Sequence, residues 1–222
     1  MIKLVLVRHG KSVWNLENKF TGWADVDLCD IGIEEAKKAG KLLKEKGFSF
    51  DLAYTSNLKR TRETLDIILS EMNIDNIEIR SSAMLNERHY GALQGLNKDD
   101  VRKEYGEEQV KIWRRGITER PPLLTKDDPR YVEGAPLGEN LLDTEKRVVE
   151  YFEKEIKKEL LNGRKIIMTG HGNSFRALIK YLDKLSNEDV MNLEVKTGKP
   201  VVYEFDDELN PIRYYYLGEE ND

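Results

Sequence analysis

Short apolar, β-branched runs alternate along the chain with longer segments whose apolar residues recur every three to four positions. The predicted elements follow from that alternation. Residues 2–7 form a Leu- and Val-rich run bounded by charge, too short for a helix and suited to a buried strand. Across residues 30–47 the period becomes helical, with Ile33, Ala36, Ala39 and Leu43 on one side. Asp30 is the candidate cap, Glu34 and Glu35 stand in the first turn, and Gly47 suits the position just past the end. Residues 50–55 predict a second strand, followed by a helix over about 56–72 that buries Leu58, Leu65, Ile68 and Leu69. Residues 77–80 are a third candidate strand.

The stretch 82–95 carries charge and glycine without a period and reads as a loop, and helix resumes over 98–116. Between 117 and 138 the prolines Pro121, Pro122, Pro129 and Pro136 remove any helical period, making this the one linker-like segment. A long amphipathic helix is expected over 141–161 (Leu141, Val148, Phe152, Ile156, Leu160), then a strand over 165–169 and a helix over 173–184. Two closing strands, 200–205 and 212–217, flank a turn at Asp206-Asp207. Strand and helix in alternation predict an α/β fold with a mostly parallel central sheet and helices on both faces. No repeat divides the chain, so residues 1–222 are read as a single domain. Ligands of such sheets bind at the carboxyl ends of the strands.

Composition narrows the function. Among 222 residues, 36 Lys and Arg against 41 Asp and Glu give a net charge of -5, which points away from a nucleic-acid partner. The first apolar run stops at Arg8, far short of the roughly 20 residues that span a bilayer, so neither a membrane segment nor a signal peptide is expected. Cys29 is the only cysteine. It excludes an internal disulfide, is read as a small buried filler, and fits a reducing, cytoplasmic setting.

All three histidines stand in glycine-marked segments: Arg8-His9-Gly10, Arg88-His89-Tyr90-Gly91 and Gly170-His171-Gly172. His9 and His171 directly follow predicted strands, which would place both at the sheet's carboxyl edge. Metal is not the expected partner, because no H-x-x-x-H or H-E-x-x-H spacing occurs and arginine rather than carboxylate adjoins His9. Guanidinium beside imidazole points instead to an anion such as phosphate. The Gly170 turn lacks the third glycine of a dinucleotide fingerprint and no P-loop exists, yet Asn173 and Ser174 open a helix whose free N–H groups suit an anion.

Leu6-Val7-Arg8-His9-Gly10 resembles the R-H-G signature of the histidine phosphatase superfamily. More narrowly, the segments 8–15, 20–23, 86–98, 113–116 and 171–174 resemble the cofactor-dependent phosphoglycerate mutases almost end to end. The resemblance implies a phosphoglycerate mutase-like fold. It implies His9 as the nucleophile carrying a phosphoryl group, His171 on the far side of that group, Arg8 and Arg60 as its guanidinium clamp, and Glu87 as general acid/base. A carboxyl in that role needs partial burial. Ser12, Asn15, Thr21, Gly22, Tyr90, Lys98, Arg114, Arg115, Gly172 and Asn173 match substrate-binding positions. Arg62, two residues beyond Arg60, would face elsewhere. His89 is read as a loop-ordering residue as readily as a site residue.

By the same resemblance the activity is interconversion of 2-phosphoglycerate and 3-phosphoglycerate, in glycolysis and gluconeogenesis, by a protein primed with 2,3-bisphosphoglycerate, without metal and often as a homodimer. A small phosphorylated carboxylate is therefore the expected partner. Two rivals stay open: a phosphatase in which water intercepts phosphorylated His9, and an idle phosphate-binding protein on the same scaffold. The chain departs from the family at Lys11, where Glu or Gln is common, at Thr169, where Ala is frequent, and in a shorter 117–138 connector whose service as a lid is in question.

Overall fold

A computed structural model describes residues 1–219. Six strands, β1 (Ile2–Arg8), β2 (Leu52–Thr55), β3 (Glu78–Ser81), β4 (Ile166–Gly170), β5 (Pro200–Phe205) and β6 (Pro211–Tyr216), form one sheet in the order β3-β2-β4-β1-β5-β6. The first four in that order are mutually parallel. β5 runs antiparallel to β1, and β6 antiparallel to β5. The mostly parallel α/β reading therefore holds, with the closing hairpin supplying the exception.

Alternation along β1 divides the core. Leu4 and Leu6 face one side with Tyr54, Met168, Phe152, Ile156 and Phe175, while Val5 and Val7 face the other with Ala39, Leu43, Leu65 and Ile68. Helices α2 (Asp30–Glu45) and α3 (Lys59–Glu71) cover the second face. The first is covered by α6 (Leu141–Tyr151), a π-turn (Phe152–Ile156), α7 (Lys157–Leu161) and α8 (Gly172–Asp183). Each apolar side chain withdrawn from water contributes about 1.5–3 kcal/mol, so both faces must be covered.

Several elements differ in detail from expectation. Asp30 does not cap α2; Cys29 holds the N-cap position without a side-chain bond, and it is half-buried rather than a core filler. The helix over 98–116 is two, α4 (Lys98–Tyr105) and α5 (Glu107–Arg115), parted at Gly106, whose φ of 85° breaks the helical ladder. The expected loop 82–95 contains 3₁₀ turns at Ala83–Leu85 and Gly91–Leu93. The long helix over 141–161 is interrupted by the π-turn, which widens one turn while keeping Phe152 and Ile156 buried. Two short helices escaped the sequence pattern: α1 (Val13–Leu16), capped by Ser12, and α9 (Asn187–Asn192), capped by Ser186.

Candidate active site

The sheet register assembles the site. Arg8 lies opposite Gly170 across the parallel β1–β4 pair, so the next residue of each strand, His9 and His171, emerges at the same edge. Their rings are 5.1 Å apart between centroids and inclined at 61°. Two residues remote in sequence thus become neighbours because two parallel strands end level with one another.

His9 is 3% exposed, and its Nδ1 lies 2.7 Å from the carbonyl of Gly10. A carbonyl only accepts, so Nδ1 carries the hydrogen and Nε2 of the neutral ring keeps its lone pair. Burial, reinforced by Arg60 and Arg8, holds the ring well below the ordinary histidine pKa. The loop is fixed by a backbone contact that only glycines permit. A Cβ on Gly10 would stand 2.2 Å from the oxygen of Gly32 in α2, and a Cβ on Gly32 2.1 Å from the oxygen of Lys11.

A crevice of about 160 Å³ opens beside His9, walled by Arg8, Asn15, Thr21, Gly22, Arg60, Glu87, Tyr90, Lys98, Arg114, Arg115, Gly172 and Asn173, with Arg176 and Glu194. His171 is fully buried beside His9. Of the expected binding residues only Ser12 lies away from the walls. Its hydroxyl accepts from the backbone of Asn15 (3.2 Å) to cap α1, the helix that carries Asn15. Lys11 and Thr169 do not line the crevice, and Arg62 is exposed, as its spacing from Arg60 predicts.

Arg60 is 1% exposed and bonds the carbonyls of Ala24 (2.9 Å) and Gly22 (2.8 Å) rather than a carboxylate, while its Nε is buried without a partner among the described residues. Burial brings its pKa down to about 10, so it is still a cation at neutral pH. Gly22 takes φ 55°, and a Cβ there would meet the Gln94 side chain at 2.4 Å. Arg8 donates to the carbonyl of Val195 (2.7 Å). Burial, with Arg114 and Arg8 nearby, lowers Lys98 to about 8. Six cationic side chains thus face two carboxylates, Glu87 and Glu194, and Glu194 is an exposed rim residue 4.0 Å from Arg115. Such an excess of buried positive charge is stabilised by an anion.

Glu87 is 8% exposed. Its Oε1 accepts from the backbone of Arg88 (2.8 Å) and of Asn173 (3.0 Å) at the start of α8, so the helix terminus that suits an anion already holds this carboxylate. Arg147 of α6 fixes its segment by donating to the carbonyls of Met84, Asn86 and Glu87 while paired with Glu139. The indole of Trp23 donates to the Glu87 carbonyl as well. His89 lies off the crevice wall. Its Nδ1 accepts from the N–H of Gly91 (3.0 Å), and it packs near Trp23, so it orders the loop. The 117–138 connector lies on that loop, with Pro122 accepting from Ala92 (2.8 Å) and Arg130 donating to Ala92 and Gln94.

Sequence reasoning missed Arg176, which is 6% exposed, bonds the carbonyl of Leu193 (2.7 Å) and Oδ1 of Asn173 (3.2 Å), and has no carboxylate partner among the described residues. Burial, Arg115 and Arg8 lower it to about 10. The available signal was its spacing, because on a helix Arg176 shares the face of Gly172. Among the described residues no helix is long and apolar enough to cross a membrane, and no group of three or more His, Cys, Asp or Glu is placed to hold a metal ion.

Fold and site together define a phosphoglycerate mutase-like α/β protein with paired imidazoles in a cationic crevice at the sheet's carboxyl edge. The chain belongs to the histidine phosphatase superfamily (branch 1), whose family pattern matches residues 4–216. Its fold is similar to that of a putative alpha-ribazole-5'-P phosphatase from Escherichia coli (22% identity, 97% of this chain and 95% of that one, TM-score 0.71). It is similar also to mycobacterial glucosyl-3-phosphoglycerate phosphatase (22%, 97% and 97%, 0.71). A third likeness is to a phosphoserine phosphatase solved with 3-phosphoglyceric acid, from Entamoeba histolytica (20%, 99% and 98%, 0.72). At these identities the likeness is one of fold.

Proposed function

We propose that the protein transfers phosphoryl groups through His9 and acts on a small phosphorylated carboxylate as a phosphoglycerate mutase. The observation that carries this reading is the charge of the crevice. Arg8 and Arg60 act on His9, whereas Lys98 with Arg114, and Arg176 with Arg115, form further cationic pairs on the same walls. A lone phosphoryl group needs the first pair; a substrate with a second anionic group uses the others as well.

His9 Nε2 attacks phosphorus, forming the N–P bond as the P–O bond to the leaving oxygen breaks. Glu87, in its protonated form, gives that oxygen a proton, and takes one from the attacking hydroxyl on return. Arg8, Arg60 and His171 stabilise the charge spread over the phosphoryl oxygens. The cation excess fits 2,3-bisphosphoglycerate, which when bound supplies the phosphoryl group that primes His9. Lys98, Arg114, Arg115 and Arg176 would hold the end remote from His9, letting the substrate be bound in either orientation.

A second reading, a phosphatase of a small phosphorylated metabolite, draws support from the similar solved structures, which are described as phosphatases. One assay separates the two. With 3-phosphoglycerate and catalytic 2,3-bisphosphoglycerate, a mutase yields 2-phosphoglycerate faster than free phosphate, and dependence on the primer marks the mutase cycle. Phosphate release without isomer formation would establish the phosphatase, and no turnover of either kind an idle phosphate binder.

A further inference from the structure

The strand order that aligns His9 with His171 continues one strand further. β2 pairs in parallel with β4 up to Tyr54 opposite Met168, and the hydroxyl of Thr169 bonds that of Thr55 (2.8 Å). Ser56, the next residue, therefore emerges beside His171 on the side away from β1, and its Oγ lies 2.8 Å from His171 Nε2.

The directions of these bonds follow from counting protons. Thr61, in α3, has one hydroxyl hydrogen and donates it to the carbonyl of Leu58 (2.8 Å). Its contact with Ser56 Oγ (2.7 Å) must then be one in which Thr61 accepts and Ser56 donates. With its own hydrogen committed, Ser56 Oγ accepts from the N–H of Leu58 (3.1 Å) and, in its remaining position, from His171. The hydrogen of the His171 ring is thereby on Nε2. Nδ1 is buried over the first turn of α8 without a close hydrogen-bond partner. The charged groups acting on this ring, Arg60, His9, Arg147 and Arg8, together with burial, keep it neutral.

We propose that Ser56, oriented by Thr61, is a positioning residue that sets the tautomer of His171 and, through the Nε2–H···Oγ bond, the angle at which the second imidazole stands against His9. The bearing of that orientation on turnover rests on the phosphoryl-transfer reading; the tautomer itself does not.

Nitrogen-15 NMR of imidazole-labelled protein tests the tautomer directly. The wild type is expected to show His171 protonated on Nε2. Thr61→Val, nearly isosteric, removes the acceptor for the Ser56 hydrogen, which then turns toward Nε2 and drives the ring toward the Nδ1–H form. Turnover should fall on the order of 10- to 100-fold, as for misplacement of one group beside the reacting atoms, with KM little changed. Thr61→Ser keeps the hydroxyl and should restore both tautomer and rate; it also serves should Thr61→Val fold poorly. A His171 hydrogen on Nδ1 in the wild type, or an unchanged tautomer in folded Thr61→Val, would overturn the proposal. A tautomer that responds as expected in a protein with no phosphoryl-transfer activity would refute the functional reading and leave the proposal standing.

Discussion

Stability should fall steeply between pH 8 and pH 5, before most carboxylates titrate, because three histidines are buried in neutral form. Burial is the leading cause at each of them, and it lowers His89 to about 4 and His9 and His171 well below the ordinary value of 6.5. In the unfolded chain each imidazole takes up a proton near pH 6.5, whereas in the folded protein it does not. The unfolded state gains protons first, and folding free energy is lost as pH falls from 6.5 toward the folded value. For His89, integrating from pH 8 to pH 5 gives a loss of about 2 kcal/mol. His9 and His171 act in the same sense and add to that loss, against the 5–15 kcal/mol by which domains are typically stable. Asp183, raised by burial, acts in the opposite sense at the acid end. Urea unfolding followed by circular dichroism at pH 8, 7, 6 and 5, in buffers free of phosphate, measures the slope. His89→Asn, whose amide oxygen can accept from Gly91, should reduce the drop by about 2 kcal/mol whatever its effect at pH 8. A flat profile, or a variant with the parent's slope, would refute the reasoning.

Three other substitutions probe the site. His9→Ala should abolish an acid-labile phosphoenzyme after incubation with labelled 2,3-bisphosphoglycerate, and label retained on the variant would place the nucleophile elsewhere. Arg114→Ala should raise KM about 10- to 100-fold, the equivalent of one charge-assisted hydrogen bond, with kcat nearly intact; the reverse split would contradict an anchoring role. Arg147→Met leaves Glu139 buried and unpaired, for which about 3–5 kcal/mol of destabilisation is expected, seen as a lower urea midpoint. An unchanged midpoint would show that the pair does not hold the Glu87 segment.

The parallel sheet was legible because apolar runs buried on both faces and one-sided helices leave strong periodic signals, and the site because its strand ends carry His9 and His171. What escaped notice depends on contacts between distant segments. Helices of four and six residues, such as α1 and α9, hold too few residues to show a period, and their caps are single serines. The π-turn leaves the spacing of Phe152 and Ile156 intact, so nothing in the pattern marks it. Gly106 lay within a stretch whose overall period masked the break. Ser56 and Arg147 act on His171 and Glu87 only through the register of β2 against β4 and the packing of α6 on the loop before it. Their residue types carry no signal of that use. Arg176 could have been found from its place one helical turn beyond Gly172.

The abutment of Gly10 on Gly32 makes α2, which contributes no side chain to the crevice walls, the backstop against which the His9 loop rests. A single methyl group on either glycine would act as a wedge between two stretches of main chain that have no side chain to yield. The displacement would pass straight to the imidazole, whose reaction demands alignment within a fraction of an ångström. The aim of the nucleophile is therefore vulnerable from the far side of the loop, at a position bearing no functional group at all.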